Sequence, residues 1–177
     1  MNEQQETKGY VHVYTGKGKG KTTASFGLAF RAMGLGRKTY IGQFLKGRKC
    51  AEHESAMLCQ PYITIEQYGR GCFIHQPMQK EDILMAKEGL DRAKRAMLSG
   101  EYAVVVLDEI NTAHSLGLIK MEELLEFIEI KPVRVELVFT GRNAPQELIN
   151  AADLVTEMVQ IKHYFEKGVP ARDGIER

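Results

Sequence analysis

The sequence predicts a three-layer α/β domain on a mostly parallel sheet, and three observations carry that expectation. Apolar runs of strand length alternate with helix-length stretches along the whole chain. One strand leads through a loop of alternating glycine and lysine straight into a helix, the arrangement of a phosphate-binding loop. Another, residues 102–107, is apolar without alternation, as a strand covered on both faces requires.

Taken in order, residues 10–15 read as a short buried strand and residues 22–33 as a helix, with Ala24, Leu28 and Ala32 at helical spacing. Gly34 and Gly36 stop that helix. Residues 38–45 and 62–67 read as two more strands, the second alternating Ile63 with Ile65. Residues 78–99 predict a long helix whose stripe of Ile83, Ala86, Leu90, Ala93 and Met97 lies opposite Lys80, Glu81, Lys87, Asp91 and Lys94. After the strand at 102–107 come a helix at 121–128, a strand at 134–140, a helix at 145–152 and a final strand at 154–160. No repeat or linker divides the 177 residues, so the reading is a short polar segment, 1–9, followed by a single domain over 10–177.

Lys plus Arg number 24 against 23 for Asp plus Glu, a net charge of +1, so no global field favours nucleic acid or an anionic membrane. Any phosphate binding must be local. Apolar runs such as Ala103 to Leu107 fall far short of the roughly 18–20 residues that cross a bilayer. Residues 1–9 lack the order of a secretory or transit signal, and three cysteines without a CxxC pair suit a reducing compartment, so a cytoplasmic location is expected.

Residues 15–23 read TGKGKGKTT. Gly16, Gly18 and Gly20 let the backbone bring N–H groups against phosphate oxygens, and the following helix N-terminus adds its positive dipole end. Lys21 supplies a cation, the Thr22 hydroxyl is placed for Mg²⁺, and Lys17, Lys19 and Thr23 share the loop. Gly16 and Gly20 enclose three residues, where the usual phosphate loop encloses four. The second half of a nucleotide site is expected at the end of another strand, and residues 104–109, VVVLDE, have that form. Glu109 is taken as nearest the metal, with Asp108 as its partner, directly or through water. The plainer reading, in which both acids cap the next helix, stays open.

No Asn-Lys-x-Asp base-recognition tetrapeptide, protein-kinase motif set or Gly-x-Ser-x-Gly elbow occurs. Cys50, His53, Cys59 and Cys72 offer zinc-ligand types, but their spacing matches no common finger.

With its shortened loop, the string TGKGKGKTTASFG at 15–27 closely resembles the start of the ATP:corrinoid adenosyltransferases. The resemblance continues in order through QFLKG at 43–47, VVLDE at 105–109, TGR at 140–142, Ala152-Asp153, and Lys162-His163 with Phe165, Gly168 and Val169, from about Tyr10 to Ile175. It implies a RecA-like P-loop fold, usually a homodimer, that passes the 5′-deoxyadenosyl group of ATP to a reduced Co(I) corrinoid and releases triphosphate. It further implies that the nucleotide lies reversed in the loop. Lys21 and Glu109 are then expected to be catalytic, Arg142 to join the nucleotide site as a further cation, and a reductase to supply Co(I). Similar enzymes place an aromatic-bearing loop after the third strand over the corrinoid; the matching segment is Gly69 to Ile74, with Cys72, Phe73 and Ile74 expected to face the corrinoid. Two other functions fit the loop alone: a P-loop ATPase or phosphotransferase, and a non-enzymatic module that binds ATP or corrinoid.

Overall fold

The computed structural model describes residues 8–70 and 79–176. Six strands form one sheet: β1 (Val11–Thr15), β2 (Thr39–Phe44), β3 (Ile63–Tyr68), β4 (Val104–Asp108), β5 (Glu136–Thr140) and β6 (Leu154–Glu157). They lie in the order β3-β2-β4-β5-β1-β6, and every pairing is parallel. Helices interleave as α1 (Lys21–Met33), α2 (Ala51–Leu58), α3 (Lys80–Leu98), α4 (Ile110–Ser115), α5 (Met121–Glu129) and α6 (Gln146–Ala151), and a 3-10 turn spans Tyr164–Lys167.

Alternation along the strands makes the three layers. On one face Val105, Leu107, Leu137 and Phe139 pack with Leu90, Ala93 and Met97 of α3, Leu124 and Phe127 of α5, and Leu148 of α6. On the other, Val104, Val106, Val138 and Ile41 pack with Ala29 of α1 and Ala56 of α2. The fully buried β4 therefore carries apolar residues at every position until Asp108.

Two helices have no counterpart in the sequence reading. In α2 only Ala56 is buried, so its apolar period is weak; α4 is six residues long, too short to show one. The last strand ends at Glu157 rather than 160, because Met158 turns its backbone to the glycine loop: its N–H donates to the Thr15 carbonyl at 2.8 Å and its carbonyl accepts from Gly18 N–H at 2.7 Å. Asp153 pins the start of β6, its carboxylate accepting from Val11 N–H at 2.8 Å. Among the described residues, no helix is long and apolar enough to cross a membrane.

Candidate active site

Parallel strands bring their C-terminal ends to one edge, where the loops after β1, β2, β4 and β5 meet. Strand β5 lies between β1, which feeds the glycine loop, and β4, which ends in the acids. Gly16 and Gly20 adopt positive φ, 96° and 120°, and this shape delivers the chain into α1 at Lys21. Lys21 is buried and curls back over the loop, its ammonium donating to the carbonyls of Gly16 and Gly18, both at 2.8 Å. Burial pulls this ammonium below the ordinary lysine range; Glu109 and Asp108 oppose that pull, and Arg142 adds to it.

At the centre is Asp108, wholly buried. Its Oδ1 accepts from Thr22 Oγ1 at 2.9 Å and Thr140 Oγ1 at 2.7 Å, and its Oδ2 from Gln43 Nε2 at 3.1 Å and Lys46 Nζ at 2.9 Å. One carboxylate thus ties together α1, β5, β2 and the loop after β2. Glu109 stands beside it in the left-handed region, φ 62°, its N–H donating to Thr140 Oγ1 at 3.0 Å and its carboxylate accepting from Thr112 Oγ1 at 2.7 Å. The acid in contact with Thr22 is therefore Asp108, while Glu109 turns toward α4.

Lys17 and Thr23 are exposed. Lys19 points away from Asp108 to the C-terminal segment, donating to Tyr164 Oη at 3.1 Å and Glu176 Oε1 at 2.9 Å. Arg142 is exposed after Gly141, with its N–H on Thr112 Oγ1 at 3.1 Å. Cys72, Phe73 and Ile74 lie outside the described residues. Cys72 belongs also to the zinc-type set; among the described residues no three His, Cys, Asp or Glu side chains group to hold a metal.

Sequence reasoning set Gln43 and Lys46 in the QFLKG string without giving them a place in the site, and did not single out Glu52. Lys46 Nζ lies 3.6 Å from Glu52 Oε1, and Gln43 Nε2 bonds Glu52 Oε1 at 3.3 Å. The available signal was positional: Gln43 and Lys46 belong to a segment at the end of a strand parallel to the one ending in Asp108.

A sequence model of the family described as "ATP:corrinoid adenosyltransferase BtuR/CobO/CobP" matches residues 7–177. The chain belongs to the ATP:corrinoid adenosyltransferases. It is 38% identical to a corrinoid adenosyltransferase of Sinorhizobium sp over 183 residues, which cover 99% of this chain and 84% of that protein. The corrinoid adenosyltransferase of Pseudomonas aeruginosa is 33% identical, covering 98% of this chain and 86% of that one, and the Escherichia coli K12 enzyme is 31% identical, covering 98% and 88%. As an ATP:corrinoid adenosyltransferase, this chain is an enzyme of adenosylcobalamin synthesis with ATP and a corrinoid as substrates. Its all-parallel sheet with interleaved helices is that of the RecA-like fold.

Proposed function

We propose that this adenosyltransferase holds the triphosphate of ATP in the loop of residues 16–23 and presents C5′ to the Co(I) of a reduced corrinoid. The observation that carries this reading is the meeting of α1 and β4, with Thr22 Oγ1 2.9 Å from the Asp108 carboxylate at the mouth of the glycine loop. The cobalt electron pair forms the Co–C bond, the C5′–O bond breaks, and its electrons leave on triphosphate. No proton is removed from the nucleophile, so the protein needs no general base. Its work is in-line positioning and neutralisation of the charge that develops on the leaving group. Loop N–H groups with Lys17, Lys19, Lys21 and Thr23 serve that end, and Arg142 joins them from the loop after β5.

The donor set suits Mg²⁺, a hard cation that prefers oxygen. Thr22 and Asp108 would hold it, with Glu109 as the neighbouring acid, and the bound ion would supply positive charge to the phosphates. Cys72, Phe73 and Ile74 are proposed to face the corrinoid, with Phe73 keeping water from the cobalt; Phe73→Ala should slow adenosylation and leave ATP affinity nearly unchanged. A homodimer and a reductase that supplies Co(I) follow from the resemblance to the family. A cytoplasmic location is supported by the three cysteines that form no CxxC pair.

Incubation with ATP, Mg²⁺ and chemically reduced cobalamin tests the reading. Loss of the Co(I) absorption, a light-sensitive Co–C bond and stoichiometric triphosphate are expected. Release of ADP or orthophosphate would point instead to an ATPase or phosphotransferase, and binding of both ligands without turnover to a delivery module.

A further inference from the structure

Lys46 reaches the edge of the phosphate site from the strand across from the glycine loop. Leu45, immediately before it, is left-handed with φ 62°, and its side chain packs against the core. A non-glycine residue holds that conformation only where its surroundings over-determine it. Gly69 is one of those surroundings: a Cβ there would stand 2.6 Å from the Leu45 carbonyl carbon and 2.7 Å from the Lys46 nitrogen. The sharp turn after β2 thus aims Lys46 at Asp108, where its ammonium donates to Oδ2 at 2.9 Å.

A purely structural counter-ion is the simplest account of such a lysine, yet two features exceed it. Asp108 already accepts from three neutral side chains, Thr22, Thr140 and Gln43, so its lone pairs do not depend on Lys46. The Lys46 side chain also retains 26% exposure while Asp108 has none, which sets the ammonium at the boundary between the buried carboxylate and the cleft.

We infer that Lys46 is a second phosphate ligand of this site, meeting the triphosphate from the β2 side while Lys21 meets it from the loop side. This deepens the proposed function and rests on it. An ammonium on a flexible four-carbon stem can exchange one oxygen acceptor for another with little rearrangement. A divalent cation at Thr22 and Asp108 would compete with it for the same carboxylate and free its donors for phosphate oxygens. As C5′–O cleavage places charge on the triphosphate, a cation on each flank stabilises the leaving group from both sides.

The test is calorimetric binding of inorganic triphosphate with Mg²⁺ to the wild type, Lys46→Met and Lys46→Arg, beside adenosine as a ligand without phosphate. Lys46→Met should weaken triphosphate binding by about tenfold or more, since a hydrogen bond to a charged group is lost. Lys46→Arg should stay within about threefold, because the cation is kept, and adenosine affinity should not move. If Lys46→Met does not fold, Lys46→Gln, which keeps an N–H toward Asp108, carries the same comparison. Wild-type triphosphate affinity in the Met or Gln variant would overturn the assignment. Equal losses for triphosphate and adenosine would return Lys46 to the role of counter-ion. A wild type that binds no inorganic triphosphate would overturn the phosphate-loop reading itself and this inference with it.

Discussion

The Thr22 hydroxyl donates to Asp108 Oδ1 at 2.9 Å, joining residues 86 positions apart at the point where α1 begins and β4 ends. The bond places the first turn of the loop helix against a carboxylate whose remaining acceptors face β2 and β5. Thr22→Ala breaks it without disturbing the glycine backbone, and Lys21→Ala removes the cation that now caps the Gly16 and Gly18 carbonyls. Each substitution should cost about 2–4 kcal/mol of transition-state stabilisation, read as a fall in kcat/KM for adenosylation. Near-normal turnover in both variants would sink the phosphate-site assignment.

Asp108 and Glu109 should separate by experiment. Asp108→Asn puts an N–H donor among four donors, so the melting temperature should fall along with activity, by about 1–3 kcal/mol of stability. Glu109→Gln touches chiefly Thr112 and should melt like the wild type while needing more Mg²⁺ for half-maximal rate. A Mg²⁺ titration of rate beside thermal melts of both variants is the measurement. An unchanged metal requirement in Glu109→Gln would return Glu109 to a role at the start of α4.

The loop and the acid pair were legible because each is local: glycine alternation and an apolar run ending in acids both stand in consecutive residues. Which acid bonds Thr22 was not, since that depends on backbone torsion: Glu109 has a left-handed φ and its carboxylate meets Thr112 instead. Lys46 and Gln43 escaped for a related reason. The QFLKG string marks them as part of the family pattern but gives them no role, and only the parallel pairing of β2 with β4 brings Lys46 to Asp108. Lys19 reads as one more loop cation, and what the sequence does not show is its second set of contacts, with Tyr164 and Glu176, 145 and 157 residues distant.

That last contact gives a pH dependence. Arg172, Tyr164 and Lys19 all donate to Glu176 and hold its carboxyl below the ordinary glutamate value of 4.5. A carboxyl depressed in the folded state stabilises the contact above its unfolded pKa, and that contribution is lost as pH falls through the folded one. The C-terminal segment should therefore stay docked on Lys19 at neutral and mildly acidic pH and release only well below 4.5. Amide hydrogen exchange over 164–176 is the readout. Glu176→Gln should exchange faster already at neutral pH; equal protection in variant and wild type would show that Glu176 does not secure the segment.

Gly16 makes the most exacting demand on the backbone of the loop. Its φ of 96° lies where an L side chain is strained, and a Cβ would stand 2.5 Å from the Met158 carbonyl oxygen and 2.8 Å from the Met158 nitrogen. Relief would require shifting either the loop or the segment after β6, and both are fixed by the Gly18 N–H to Met158 carbonyl bond of 2.7 Å and the Met158 N–H to Thr15 carbonyl bond of 2.8 Å. Gly16→Ala should therefore cost about 1–3 kcal/mol of stability and a larger share of phosphate affinity, because the Gly16 carbonyl that holds Lys21 moves with it. Gly27→Ala is the control: nothing lies within 4 Å of the added methyl, and on helix α1 the change should leave stability unchanged or raise it by about 0.5–1 kcal/mol. Thermal melts of the two variants, with triphosphate binding alongside, decide the matter, and a Gly16→Ala protein as stable and as tightly binding as Gly27→Ala would mean that the loop bends more freely than its contacts with Met158 imply.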